Sequence, residues 1–264
     1  MDSEIFKFYL FVFLFCHVIG DYYLQTEKLA GEKENNYKKA LIHCLLYSIP
    51  FLAFLMFYLI FPTLTEIPKP TNSEVIAIII TIAGIVLSHA SIDLIKLKWT
   101  KKTADAKNET LRNAYIIDQV LHLSIILAAA LWLSAETVSK TIDIMISSAD
   151  LYLGFKIVLF SAIILKPANV SFKKIFLKYQ PPKSDATENP TIIGAGATIG
   201  SLERLLMGFF MIINQFAAVG LIMTAKSIAR YDRISKDPSF AEYYLIGTLY
   251  SILITLMAYL LIFR

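Results

Sequence analysis

IFKFYLFVFLFCHVIGDYYLQ, residues 5–25, holds one lysine in its first dozen positions and then places His17, Asp21 and Gln25 four residues apart. The hydrocarbon core of a bilayer takes roughly 20 apolar residues per helix, so the stretch is long enough to span. Its last turns put three polar groups on one helical face. Comparable apolar runs recur near 40–61, 74–97, 113–134, 149–166, 202–225 and 241–263. The fifth is the weakest, being short and carrying Lys156. With 56% apolar and 17% charged residues and a mean hydropathy of +0.60, the chain lies outside the habits of a soluble domain. Period-2 alternation is absent, and a backbone in lipid must satisfy its own hydrogen bonds. The sequence therefore predicts an all-α fold: a polytopic transmembrane helical bundle of about seven spans, with an N-terminal four-helix bundle carrying the polar site.

Three segments are expected: a four-span His/Asp domain over 1–135, a connecting span with an amphipathic segment and linker over 136–190, and a C-terminal two-span hairpin over 191–264. The amphipathic part, 168–180, sets Lys173, Lys174 and Lys178 among Phe172, Ile175, Phe176 and Leu177, the pattern of a helix lying on the membrane surface. PPKSDATENP, 181–190, reads as a Pro-bounded linker. Asp2 and Glu4 spoil the positive start of a signal peptide, and no small-x-small site follows the first apolar run. The first helix is expected to stay. Cys16 and Cys44 both fall in spans and imply no disulfide framework.

Lysines and arginines fill the loops after spans one, three and five, while the loops after spans two and four carry only Lys69 and Lys140. The positive-inside rule then puts the odd loops in the cytoplasm of a bacterial inner membrane. Lys226, Arg230, Arg233 and Lys236 disagree, since they follow span six on the side this topology calls external. A basic cytoplasmic face suits membrane lipids as partners, and no nucleic-acid module is present.

The four histidines, His17, His43, His89 and His122, fall one to a span in the first four spans. His17/Asp21, His89/Asp93 and Asp118/His122 are each four apart and so share a helical face. All seven groups belong to one leaflet. At 1.5 Å per residue His17 sits about 12 Å inside its span, with His89 and His122 at similar depth. Asp21, Asp93 and Asp118 come one turn shallower, near His43. The arrangement reads as a degenerate duplication of a His-x-x-x-Asp hairpin, with Tyr47 standing in the first copy where His122 stands in the second.

Buried carboxylates without a cation are costly, so three near one another invite a metal or shared protons, and imidazole with carboxylate suits zinc, manganese or iron. His17, Asp21, His43, His89, Asp93, Asp118 and His122 are thus candidate ligands of a divalent transition metal, enough even for two ions. Lys96, three residues after Asp93, either neutralises a carboxylate, holds a phosphate or snorkels at a helix end. Gln25 is either an orienting donor or an interfacial residue. The bland alternative is that the polar groups only fasten helices together.

In GAGATIGSLERLL, 194–206, the GxG lacks a preceding strand and a following Gly-Lys-Ser/Thr. It reads as close helix packing rather than a phosphate loop. Glu203 and Arg204 open span six, where they either complete the site or pair with neighbours. Lys226, Arg230 and Glu242 are expected to bridge across the last hairpin or to hold a lipid phosphate.

Taken together, His17-x-x-x-Asp21-x-x-x-Gln25, His43 opening span two, His89-x-x-x-Asp93-x-x-Lys96 and Asp118-Gln119-x-x-His122 resemble an uncharacterised family of bacterial and phage multipass proteins, catalogued only as a domain of unknown function. The likeness covers about the first 125 residues, and the C-terminal part resembles the segment commonly appended to that domain. The resemblance implies a membrane bundle and brings no activity with it. More distantly, the four spans are similar to membrane-bound metal-dependent hydrolases, without their Asp-x-Asp-His and Thr-His-Ser motifs.

The residues point first to a hydrolase of a lipid-linked phosphoester or acyl bond at the cytoplasmic leaflet. Asp93 or Asp118 would be the base, and Lys96 or Arg204 the stabiliser of developing negative charge. A transition-metal or proton-coupled transporter is the alternative from another class, and a non-catalytic scaffold the third.

Overall fold

In α4, Asn72–Lys102, buried Ile78, Ile82, Ile85, His89, Asp93 and Leu97 recur every three or four residues, while Ile76, Ile80, Leu87 and Ile95 face outward. Spacing of that kind makes one stripe of a helix, yet here the polar groups lie on the inner stripe. In water an outer face of this kind would associate; in lipid it is the solvent face. The computed structural model describes all residues except 1–2, 34–35, 66, 103–107, 137–139 and 182–193. Asp2, Lys107, Lys183 and nearly all of the predicted linker lie outside the described residues. The described chain contains helices and no strand, and seven helices are long and apolar enough to cross a membrane.

Two compact units divide the chain, Met1–Leu159 and Phe160–Arg264. The first opens with α1, Ser3–Val18, which continues as a π-helical turn over Ile19–Tyr23 closed by Leu24 N–H on the Ile19 carbonyl at 2.9 Å. A short exposed α2, Glu27–Lys33, leads to α3, Tyr37–Thr65, and α5, Asn108–Glu136, follows α4. Helix α1 packs on α3 and α5, and α4 packs on the same two, so the four long helices close a ring. Being buried nearly all round from Ile5 to Val18, α1 is apolar on every face. The ring closes tightly at Gly20, where an added Cβ would lie 2.9 Å from the Tyr47 ring and 3.0 Å from the Tyr47 carbonyl oxygen. Only glycine admits that approach of two backbones. Helix α6, Lys140–Ser147, lies against α1, and α7, Ala149–Ile164, straddles the boundary between the units.

The second unit corrects two expectations. The stretch 168–180 does not lie free on a surface. Residues Lys166–Ile175 form α8, which continues the fifth span past a break at Leu165 and Pro167 and packs on both α9, Ala195–Ile212, and α12, Pro238–Phe263. Its apolar side meets aromatic rings of α12: Phe172 lies 5.4 Å from Tyr243 and 5.5 Å from Tyr250.

The sixth span, expected unbroken over 202–225, is two helices, α9 and α10, Phe216–Ala229. Asn214 takes φ 58°, Gln215 N–H bonds the Phe210 carbonyl at 2.7 Å, and Asn214 N–H bonds that of Met211 at 3.0 Å. These two bonds make a Schellman motif with asparagine in the left-handed position. Helix α10 turns back along α9 and brings Lys226 to 2.7 Å from Glu203, rather than to Glu242. A short α11, Tyr231–Lys236, precedes α12, whose end returns Arg264 to Asn214 at 3.3 Å. The basic cluster 226–236 therefore stands at the end of this unit where α12 begins, the same end as Lys173 and Lys174. The conflict with the positive-inside count disappears.

Candidate metal centre

Alternate turns of four helices deliver the site. Continued by its π turn, α1 brings His17 and Asp21; α3 brings His43 and Tyr47; α4 brings His89, Asp93 and Lys96; α5 brings Asp118, Gln119 and His122. All four histidines and all three aspartates are buried, His43 completely. π turns widen the helix locally and recur at functional sites.

Three imidazoles form one layer. Ring centroids of His17 and His122 are 5.6 Å apart, those of His17 and His89 6.3 Å, and those of His89 and His122 4.3 Å. Tyr47 lies parallel to His89 at 3.5 Å, and its hydroxyl meets His17 Nδ1 at 3.2 Å. Two near-parallel rings this close cannot share one face of His89, so the imidazole is held between Tyr47 and His122.

Carboxylates and cations form the other layer. His43 Nε2 is 3.2 Å from Asp21 Oδ1, 3.3 Å from Asp93 Oδ2 and 3.3 Å from His89 Nε2. Lys33, at the end of α2, reaches in to 3.7 Å from Asp21 Oδ1 and 3.4 Å from Asp93 Oδ2. Lys96 Nζ is 2.8 Å from Asp118 Oδ2, so it pairs with a carboxylate rather than snorkelling. The Gln119 amide donates to both Asp21 Oδ2 and Asp118 Oδ2 at 3.2 Å, while its oxygen accepts from Tyr22 at 2.8 Å. Tyr22 is in turn 2.9 Å from Tyr115. On α2, outside the spans, the half-buried Glu32 carboxyl is held below its usual range by the Lys39 ammonium 2.9 Å away. This tether of α2 to α3 is present above the ordinary carboxylate pKa and is lost as pH falls through the lowered value.

Several buried polar atoms of the cluster have no hydrogen-bond partner: His17 Nε2, His43 Nδ1, His89 Nδ1, both ring nitrogens of His122, and Asp118 Oδ1. A buried acceptor left alone costs about 1–3 kcal/mol, and so many together is not how a merely structural network is finished. Ligand atoms of His17, His89 and His122 lie within 4.8 Å of one another, as do those of Asp21, His43 and His89, and those of Asp93, Asp118 and His122. Three carboxylates face two ammonium groups, leaving one negative charge over. Orphaned nitrogens, excess negative charge and the imidazole/carboxylate donor set all fit a divalent transition-metal ion.

Every His and Asp singled out in the sequence is in this cluster, with Lys96. Arg204 makes its hydrogen bonds within the second unit, to the Ile164 and Leu165 carbonyls, Asn169 Oδ1, Ser201 and Ser251. Sequence reasoning missed Lys33, counted only as a loop charge, and gave Gln119 no role. A charge tally would have found Lys33, because three buried carboxylates against Lys96 alone call for another cation.

Fold and site together define an integral membrane protein, by helix length and composition, with a buried His/Asp cluster suited to a metal ion. The chain belongs to the family described as "Protein of unknown function (DUF3307)", which matches residues 9–152. Every residue of the cluster falls inside that range. No curated protein and no solved structure matches the chain.

Proposed function

We propose that the protein is a metal-dependent hydrolase of a lipid-linked phosphoester or acyl bond, working in the cytoplasmic leaflet of a bacterial inner membrane. The observation that carries this reading is the set of unpartnered atoms on His17, His89, His122 and Asp118, buried together beside paired carboxylates. His17, His89 and His122 would hold the ion, with Asp93 on its carboxylate side. A bound divalent ion supplies a Lewis acid and lowers the pKa of water toward neutrality.

The remaining chemistry belongs to the chain. Gln119 and Lys96 fix the Asp118 carboxylate through Oδ2, which leaves Oδ1 to take the proton of the attacking water. Water's oxygen bonds to phosphorus or to the acyl carbon as its proton moves to Asp118, the bond from that centre to the leaving oxygen then breaks, and Asp118 returns the proton to the departing oxygen. Lys96 is also the nearest cation for developing negative charge. Tyr47 and His43 hold the imidazole layer in place, the part outer-shell partners play at metal sites. The lysine-rich loops after spans one and three, which flank the site, support the cytoplasmic side.

The test is release of phosphate or fatty acid from vesicles containing, in turn, a lipid phosphomonoester, a lipid diphosphate and a diacyl phospholipid. Metal-loaded wild type is expected to cleave one class. Asp118→Asn should keep its metal and lose at least 100-fold in rate, within the range removed with a general base (about 10²–10⁴-fold). Full metal content with no cleavage of any class, and metal flux into sealed vesicles instead, would favour the transporter.

A further inference from the structure

Lys33 occupies an odd position for a loop residue. Its ammonium sits between Asp21 Oδ1 and Asp93 Oδ2, the oxygens that also face His43 Nε2. Asp21 and Asp93 each stand four residues after a cluster histidine, one at the end of the first span and one on α4, so Lys33 bridges the two His-x-x-x-Asp pairs. Beside the His17/His89/His122 set, which would hold the first ion, Asp21, His43 and His89 also bring ligand atoms within 4.8 Å of one another. Two neighbouring sets of this kind are what a two-metal centre uses.

The two halves are nevertheless finished differently. Around Asp21, Asp93 and His43 Nε2 the polar atoms are partnered, with Lys33 supplying the positive charge. Apart from His43 Nδ1, the unpartnered atoms of the cluster belong to His17, His89, His122 and Asp118. Helix α2 buries none of its residues, and Lys33 alone enters the cluster from it.

We infer that Lys33 is a tethered cation holding the second place of a two-cation centre, so that the site takes one divalent ion and excludes another. The inference rests on the metal reading above. An ammonium at this point neutralises the Asp21/Asp93 pair as a metal would, but it offers no open coordination position. It therefore restricts the chemistry to one ion, and removing it should open Asp21, His43 and Asp93 to a second.

The experiment counts ions. Wild type, Lys33→Met, the milder Lys33→Gln and the charge-preserving Lys33→Arg are purified, stripped with chelator, reloaded with Mn²⁺ and assayed by elemental analysis and electron paramagnetic resonance. Wild type and Lys33→Arg are expected to hold one equivalent with an isolated Mn²⁺ signal. Lys33→Met and Lys33→Gln should hold two, with the broadened spectrum of a coupled pair. One equivalent in all four proteins would overturn the inference and leave the single-metal site standing. Two equivalents in wild type would also overturn it, and this comparison does not depend on either neutral variant folding. No bound ion in any of them would remove the metal reading itself.

Discussion

Both units bury ionisable groups among membrane helices, and they finish them in opposite ways. In the second unit, Arg204 on α9 donates to the Ile164 and Leu165 carbonyls at the break between α7 and α8, to Asn169, and to hydroxyls on α9 and α12. The Leu165 carbonyl also accepts from the Asn169 N–H at 3.2 Å, so the guanidinium adds a second donor there and supplies one to the Ile164 carbonyl at the break. Its neighbour Glu203 is paired with Lys226. In the first unit, four histidines and three aspartates keep orphaned nitrogens and an orphaned carboxylate oxygen. A saturated network fastens helices; an unsaturated one leaves room for something that binds. Burial and charge alone do not separate these two cases, whereas partner accounting does.

Breaking the saturated network should be the most damaging change. Arg204→Ala strips the α7/α8 break and Asn169 of their donor and is expected to cost about 3 kcal/mol, read as a lower thermal midpoint in detergent. Metal content per folded molecule should not change. Gly20→Ala drives a methyl into Tyr47 at the ring closure and should cost about 1–3 kcal/mol. Unlike Arg204→Ala, it should also weaken metal binding, because Tyr47 holds both His17 and His89. Asn214→Leu puts a branched side chain at φ 58° and should cost about 1–2 kcal/mol, while Asn214→Gly should be neutral or better.

The smallest effect belongs to the unsaturated site. His122→Phe removes two unpartnered nitrogens and keeps a ring beside His89. In metal-free protein it should leave the midpoint unchanged or raise it, since an apolar group of similar shape is no worse than an unsatisfied polar one. A large destabilisation by His122→Phe without metal would mean that this cluster too is only a fastener.

Much of this was legible in the sequence because lipid imposes a length on its helices and a helix imposes a spacing on its ligands. The runs from Ile5 and from Asn72, and the four-residue pairs His17/Asp21, His89/Asp93 and Asp118/His122, follow from those two periods. Chain-wide context decided the rest. The π turn at Ile19–Tyr23 leaves no mark in hydropathy and depends on Gly20 meeting Tyr47 from another helix. The stretch from Asn169 to Phe176 is amphipathic, but its apolar side covers protein as readily as lipid. Asn214 and Gln215 did offer a signal: two polar residues inside an apolar run, the first of a type that accepts the left-handed conformation. Lys33 was hidden because a lysine near a helix end serves equally well as a topology charge.

The central claim is that the His/Asp cluster is a cation site, and ion content tests it most directly. Wild type and a His17→Ala/His89→Ala variant are stripped with chelator, reloaded with zinc, manganese or iron in turn, and dialysed exhaustively before elemental analysis, with folding checked by thermal melting. The expected result is about one equivalent of one of these ions in wild type and none in an equally folded variant. Equal metal in both proteins, or none in either after exposure to all three ions, would contradict the claim and leave the cluster as polar packing between helices.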